Sequence, residues 1–199
     1  MDCFWVRCRV LKNKRYSREH GVVGGRNEGG FWCYNSIMDR NTKSIVVYYS
    51  AQNHTRNVAT KIADGINADI FEIEPVQIYT EDDLSWVDSG SRVSREHDDV
   101  SLQDVALKTV SVPNWDKYET VFIGYPIWWG DSAWPVDSFV KQVNFGNKTV
   151  IPFCTSHSSG LGTSDVELKA KATGGNWRPG YRFFQDATDE EIKDWVESL

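Results

Sequence analysis

The chain has 199 residues, a formal net charge of −6 at pH 7, 13% aromatic residues and four cysteines. From Ser44 to Leu199 there are 24 acidic and 13 basic residues, a formal charge of −11, whereas the first 37 residues carry a basic excess. An acidic body with no basic face argues against nucleic-acid binding, no membrane partner is expected, and the length suits one domain of about 150 residues with an appendage.

Residues 1–37 hold three of the cysteines, two Gly-Gly pairs and clustered arginines, with no sustained apolar periodicity. They contain no apolar core of the length a secretory signal needs and nothing long enough to span a bilayer, so a cytoplasmic location is expected. Met38-Asp39-Arg40 stands just before the first apolar run, as a natural start would. Residues 1–43 therefore read as a disordered or upstream extension, and 44–199 as the folded domain. Cys3 to Arg9 fits Cys-x5-Arg, a phosphate cradle elsewhere, but no strand precedes it and no helix follows. Cys3, Cys8 and Cys33 lack paired metal-ligand spacing, so no zinc or other metal site is expected.

Ile45-Val46-Val47-Tyr48-Tyr49 is the first buried strand by composition. It breaks into Ser50-Ala51-Gln52-Asn53-His54-Thr55, after which Val58, Ile62 and Ile66 recur at helical spacing. Strand, polar loop and helix N-terminus together suit a phosphate, because first-turn amides are unpaired and carry roughly half a positive charge. The loop is neither a Walker A motif, lacking Gly-Lys-Ser/Thr, nor a dinucleotide fingerprint, lacking glycine. A single phosphate held by hydroxyls and amides, without metal or lysine, is the simplest reading.

Asp69 to Ile73 alternates like a short strand, and residues 77–112 form a long, charged connection containing Tyr79, Trp86 and an Arg92–Glu96 run. Thr120 to Gly124 is a continuous apolar run, as in a strand buried on both faces. It leads into Tyr125-Pro126-Ile127-Trp128-Trp129-Gly130. Val136, Phe139, Val140 and Val143 share one helical face. Thr149 to Cys154 is another apolar run, followed by Thr155-Ser156-His157-Ser158-Ser159-Gly160-Leu161-Gly162. Buried at a strand end, Cys154 reads as a small packed hydrophobe. Ser164 with Glu167 and Thr188 with Glu191 fit capping boxes of two further helices. A final strand is expected within Tyr181 to Phe184, and the last helix carries Ile192, Trp195, Val196 and Leu199 on one stripe.

Strands alternating with helices five times predict a doubly wound, five-stranded parallel sheet in the order 2-1-3-4-5, with ligands in the crevice beyond the C-terminal strand ends. The first loop and the Gly-Tyr-Pro-x-Trp-Trp-Gly segment resemble those of the flavodoxin-like family, specifically the short FMN-binding flavodoxins. Ser50 and Thr55 keep that family's residue type; Gln52, Asn53 and His54 depart from it. Asn53 stands where glycine is usual, and asparagine enters left-handed backbone readily. His54 can donate a hydrogen bond in place of an amide.

The resemblance implies FMN as cofactor. It assigns Ser50, Gln52, Asn53, His54 and Thr55 to the phosphate. It assigns Pro126, Ile127, Trp128, Trp129 and Gly130 to the flat ring. It assigns Thr155, Ser156, His157, Ser158, Ser159 and Gly160 to the pyrimidine edge. Only one of the two adjacent tryptophans is expected to meet the ring, the other closing the loop against the next helix. Gly130 would permit a peptide flip toward the flavin N5–H on reduction.

The favoured function is an electron carrier between redox partner proteins, without a substrate or catalytic residues of its own. An FMN-dependent NAD(P)H:quinone-type reductase and a cofactor-free interaction protein are the alternatives. A response-regulator receiver would need an acidic pair where Ser50-Ala51 stands, and a phosphatase would need Cys-x5-Arg there.

Overall fold

The computed structural model describes residues 43–199. The extension read over 1–43, with Cys3, Cys8 and Cys33, lies outside the described residues apart from Lys43. In chain order the elements are β1 (Ser44–Tyr48), α1 (His54–Ile66), β2 (Asp69–Glu72) and α2 (Arg92–Asp98). There follow β3 (Thr120–Trp128), β4 (Asp131–Ser132), α3 (Trp134–Gln142) and β5 (Asn144–Ser156). The chain closes with α4 (Ser164–Lys171), β6 (Thr173–Trp177), β7 (Tyr181–Phe184) and α5 (Asp189–Glu197).

The main sheet is parallel, in the order β2-β1-β3-β5-β6, with β7 beside the C-terminal half of β5. Counting β6 and β7 as one interrupted edge strand gives the expected doubly wound order. Two features depart from a plain five-stranded sheet. β4 folds back antiparallel on the end of β3. The edge strand is split, because Arg178-Pro179-Gly180 interrupts it and proline has no N–H for the ladder. β6 escaped the sequence pattern because Gly174 and Gly175, at φ 75° and 87°, supply no alternating side chains.

Alternation along the strands sends side chains to two cores. Ile45, Val47, Val121, Ile123, Val150 and Cys154 meet Trp134, Val136, Phe139 and Val140 of α3 and Leu168 of α4. Val46, Tyr48, Phe122, Ile151 and Phe153 meet Val58, Ala59 and Ile62 of α1 and Ile192 and Trp195 of α5. Each such buried aliphatic or phenyl side chain contributes roughly 1.5–3 kcal/mol. Gly124 is obligatory at the centre: a Cβ there would lie 2.3 Å from Cζ of Phe153.

The helix ends follow their caps. Asn53 and Asn67 bound α1 in left-handed backbone, at φ 67° and 52°. Thr188 caps α5, its hydroxyl accepting from the Glu191 amide at 3.2 Å. The Ser164–Glu167 box did not form as expected. The cap position belongs to Thr163, whose hydroxyl donates to Glu167 at 2.8 Å, while the Ser164 hydroxyl bonds Leu161 O instead. On α5, Ile192 and Trp195 are buried and Val196 packs beside them, but Leu199 is exposed at the terminus.

Residues 77–112 are more than a surface connection, since they contain α2 and are pinned to the body. The Tyr79 hydroxyl donates to the buried Glu96 carboxylate at 2.6 Å, Arg92 Nε donates to the same group at 2.7 Å, and the Arg92 guanidinium lies 3.8 Å from the Tyr79 ring centre. The Val105 amide donates to Ser138 Oγ at 2.9 Å, tying the segment to α3. Among the described residues, no helix is long and apolar enough to cross a membrane.

Candidate functional site

Parallel register aligns the C-terminal ends of β1, β3 and β5. Tyr48 lies beside Gly124, Gly124 beside Phe153, and Pro126 beside Thr155. The three segments singled out by sequence therefore emerge side by side. They line one crevice of about 490 Å³. Pro126, Ile127, Trp128, Thr155 and Ser156, expected in loops, belong to the strand ends themselves. A larger groove of about 650 Å³ lies at the opposite end of the sheet, around Trp115 and Lys148. Two of its donors are already engaged: Lys148 Nζ donates to Tyr118 O at 2.6 Å and Trp115 Nε1 to Asn144 O at 3.0 Å.

The β1–α1 end of the crevice presents Ser50, Ala51, Gln52, His54 and Thr55. The Ser50 hydroxyl is buried and has no hydrogen-bond partner. Burying an unpaired hydroxyl costs about 1–3 kcal/mol, so the site is built for a group that will bond it. The Asn53 side chain does not cap α1; its carboxamide oxygen accepts from Arg56 Nη1 at 2.6 Å, leaving the first-turn amides open. No acidic residue stands in that first turn, and no Lys, Arg, Asp or Glu is among the described residues lining the crevice. Such a donor set fits a phosphate held by hydroxyls, amides and the helix dipole. Thr55 has a second task, since its hydroxyl lies 2.8 Å from that of Thr155, both buried, and ties the first loop to the third.

The middle wall is aromatic. Trp128 packs edge-on against Tyr79 at 5.1 Å, Trp134 at 5.7 Å and Tyr49 at 5.8 Å between ring centres. Trp134 is the first residue of α3, so Trp128 closes the loop against the next helix, as expected of one of the pair. Trp129 is 42% exposed and stacks on His97 at 4.5 Å. It lies with Gly130 in the turn between β3 and β4, where Asp131 pairs with Trp128 and Ser132 with Ile127. Burial drives the hydroxyls of Tyr49 and Tyr79 upward, Tyr79 further through its bond to Glu96, so both stay neutral. Beside the turn, burial and then the hydrogen bond to Glu167 push the Asp131 carboxyl up to about 6, while the same bond, followed by that to Thr163, lowers Glu167.

Thr155, Ser156, His157, Ser158 and Ser159 form the remaining edge. The Ser156 hydroxyl donates to Ser159 O, and Arg182 Nε donates to both Ser156 Oγ at 2.9 Å and Ser159 O at 3.0 Å. This loop is thus pre-formed, which leaves backbone groups rather than the Ser156 hydroxyl for a ligand. Cys154 behind it is buried, its thiol pushed up to about 12 by desolvation, and inert.

Asn53, Gly130 and Gly160, although assigned to the site by sequence, do not line the crevice. Asn53 turns its amide to Arg56, Gly130 occupies the hairpin tip, and Gly160 lies farther round its loop. Conversely, Leu84, Trp86, Val93 and Gln185 line it although the sequence gives none of them a site role. Gln185 follows β7, so a strict reading of C-terminal strand ends points to it. The other three come from 77–112, where no periodicity marks them.

These features match known proteins. The family model for flavodoxin matches residues 43–199. A candidate flavoprotein structure from Bacteroides uniformis shares 35% identity, covering 78% of this chain and 97% of its own, with a TM-score of 0.72. One from Bacteroides eggerthii shares 34%, covering 79% and 97%, with a TM-score of 0.71. At 22% identity, a Lactobacillus acidophilus flavoprotein in complex with FMN shares the fold, with a TM-score of 0.58 and coverage of 77% and 97%. No curated protein sequence matches the chain. With the match spanning every described element, this chain belongs to the flavodoxin family.

Proposed function

We propose that the chain binds FMN in this crevice and carries electrons between redox partner proteins in the cytoplasm. One observation carries the reading: the buried, partnerless Ser50 hydroxyl and the uncapped α1 N-terminus share a crevice with an aromatic wall. Ser50, Gln52, His54, Thr55 and the first-turn amides would hold the phosphate. Trp129, Pro126 and Ile127 would face the flat ring, with Trp128 backing them against α3, and residues 155–159 its polar edge. When bound, FMN supplies the redox chemistry; the protein sets orientation, solvent exposure and electrostatics. The aromatic wall excludes water from one side, and the formal charge of −11 over residues 44–199 disfavours added negative charge and steers basic partners toward the surface.

The test is a titration of the purified, flavin-depleted protein with FMN, followed by visible absorption and flavin fluorescence. Saturable binding with shifted flavin bands is the expected result; no binding would sink the reading and leave an interaction module on the same fold. A second reading is reduction of a quinone-type acceptor with NAD(P)H. The exposed Trp86 at the crevice mouth favours it, since a planar acceptor could stack there. Direct NADPH oxidation by the FMN-loaded protein, with a quinone as acceptor, would support the reductase.

A further inference from the structure

We propose that His97 is a positioning residue for the flavin site, holding the Trp129 ring and the turn that Trp129 begins; this rests on the FMN reading above. The Trp129–Gly130 turn joins β3 to β4 in two residues, and both have positive φ, 50° and 93°. A two-residue hairpin turn of that kind favours Asn-Gly, because a bulky side chain in left-handed backbone is strained. Gly130 suits the turn; Trp129 does not. A contact outside the hairpin must therefore keep Trp129 there.

That contact is the stack on His97, with ring centres 4.5 Å apart and planes 23° from parallel. His97 lies on α2 one helical turn after Val93, which lines the crevice, so one face of α2 addresses the mouth of the site. α2 is itself anchored through Arg92 and Glu96 to Tyr79. His97 Nδ1 lies 3.2 Å from Asp98 Oδ1, which orients the imidazole. A residue 32 positions from Trp129, itself outside the crevice lining, thus fixes the backbone of the wall a planar ring would meet. The His97 side chain is 41% exposed, so its replacement spares the core.

The experiment compares wild type, His97→Ala and His97→Phe by FMN titration, midpoint potential and visible circular dichroism of the bound flavin. The histidine ring protons of the flavin-free protein are followed by proton NMR. His97→Ala should weaken FMN binding roughly threefold to tenfold and change the flavin dichroism, whereas His97→Phe, which keeps a flat stacking ring, should stay within about twofold of wild type. In the flavin-free protein the His97 ring protons should be shifted upfield by the indole and relax toward ordinary positions in Trp129→Leu. Wild-type affinity and potential in His97→Ala, failure of His97→Phe to rescue, or unshifted His97 protons would each overturn the proposal. Failure of the wild type to bind FMN would overturn the underlying reading as well, and is visible before any variant is made.

Discussion

The two ends of the crevice are built differently. At the β1–α1 end, Ser50 to Thr55 are contiguous, and their geometry follows from a strand stopping, one asparagine turning left-handed at φ 67° and a helix starting. At the aromatic end the wall is assembled from separated pieces: Leu84 and Trp86, Val93 on α2, the Trp128–Trp129 hairpin and Gln185 after β7. The first end depends on local backbone and can be rigid on its own. The second depends on a buried polar knot of Tyr79, Arg92 and Glu96, and on ring contacts between elements. Affinity for a phosphate should therefore be separable from recognition of a ring.

The sharpest way to break that contrast is Tyr79→Phe. It removes the hydroxyl that donates to the buried Glu96 carboxylate, leaving Arg92 as that carboxylate's remaining charged partner. A loss of about 1–3 kcal/mol is expected from the unmet acceptor, measurable by urea unfolding. Hydrogen exchange should rise across 77–102 and leave α1 protected. Equal loss of protection in α1 would show that the two ends are one cooperative unit.

Ser50→Ala probes the other end. It deletes a hydroxyl that is buried and unpaired in this structure, so the flavin-free protein should be unchanged or slightly more stable. FMN binding should fall roughly tenfold to a hundredfold and riboflavin binding hardly at all, since a charge-assisted bond is worth about 1.5–3 kcal/mol. Parallel losses for both ligands would move Ser50 away from the phosphate.

The smallest effect concerns the hairpin flank. Folded Asp131 holds its proton to about 6, against 3.8 for its ordinary value, so it binds more protons folded than unfolded between those limits. The stability linked to this group is therefore present below 3.8 and lost as the pH rises through about 6. The lowered Glu167 acts in the opposite sense. Asp131→Asn should flatten that dependence and raise stability at pH 7 by on the order of 1 kcal/mol or less, because solvent screens the pair. Thermal unfolding of both proteins from pH 4 to 7 measures it; an unchanged slope would contradict the assignment.

How much of this was legible beforehand can be read residue by residue. β1, α1 and the middle of β3 were plain because burial on both faces writes a continuous apolar run and amphipathic packing writes a fourth-residue repeat. The loop between β1 and α1 was plain for the same reason, being whatever lies between two strong signals. Ser164 does not cap α4, because its hydroxyl is taken by Tyr125 and Leu161 O, and Thr163 holds the cap position with its hydroxyl on the Glu167 side chain rather than on a backbone amide. β6 was hidden by its paired glycines. The contributions of Leu84, Trp86 and Val93 were hidden because a segment that packs through a few anchors leaves no period in its sequence.

The central strands β1, β3 and β5 with α1, the polar loop behind β1 and the aromatic segment after β3 were thus determined by the chain itself, through periodicity and local backbone preference. Tertiary structure alone decided that Thr55 meets Thr155, that Trp128 turns inward while Trp129 rests on His97, and that residues 77–102 wall the crevice. Those outcomes are contacts between positions dozens of residues apart. Their energies exist only once the sheet has brought the strand ends together.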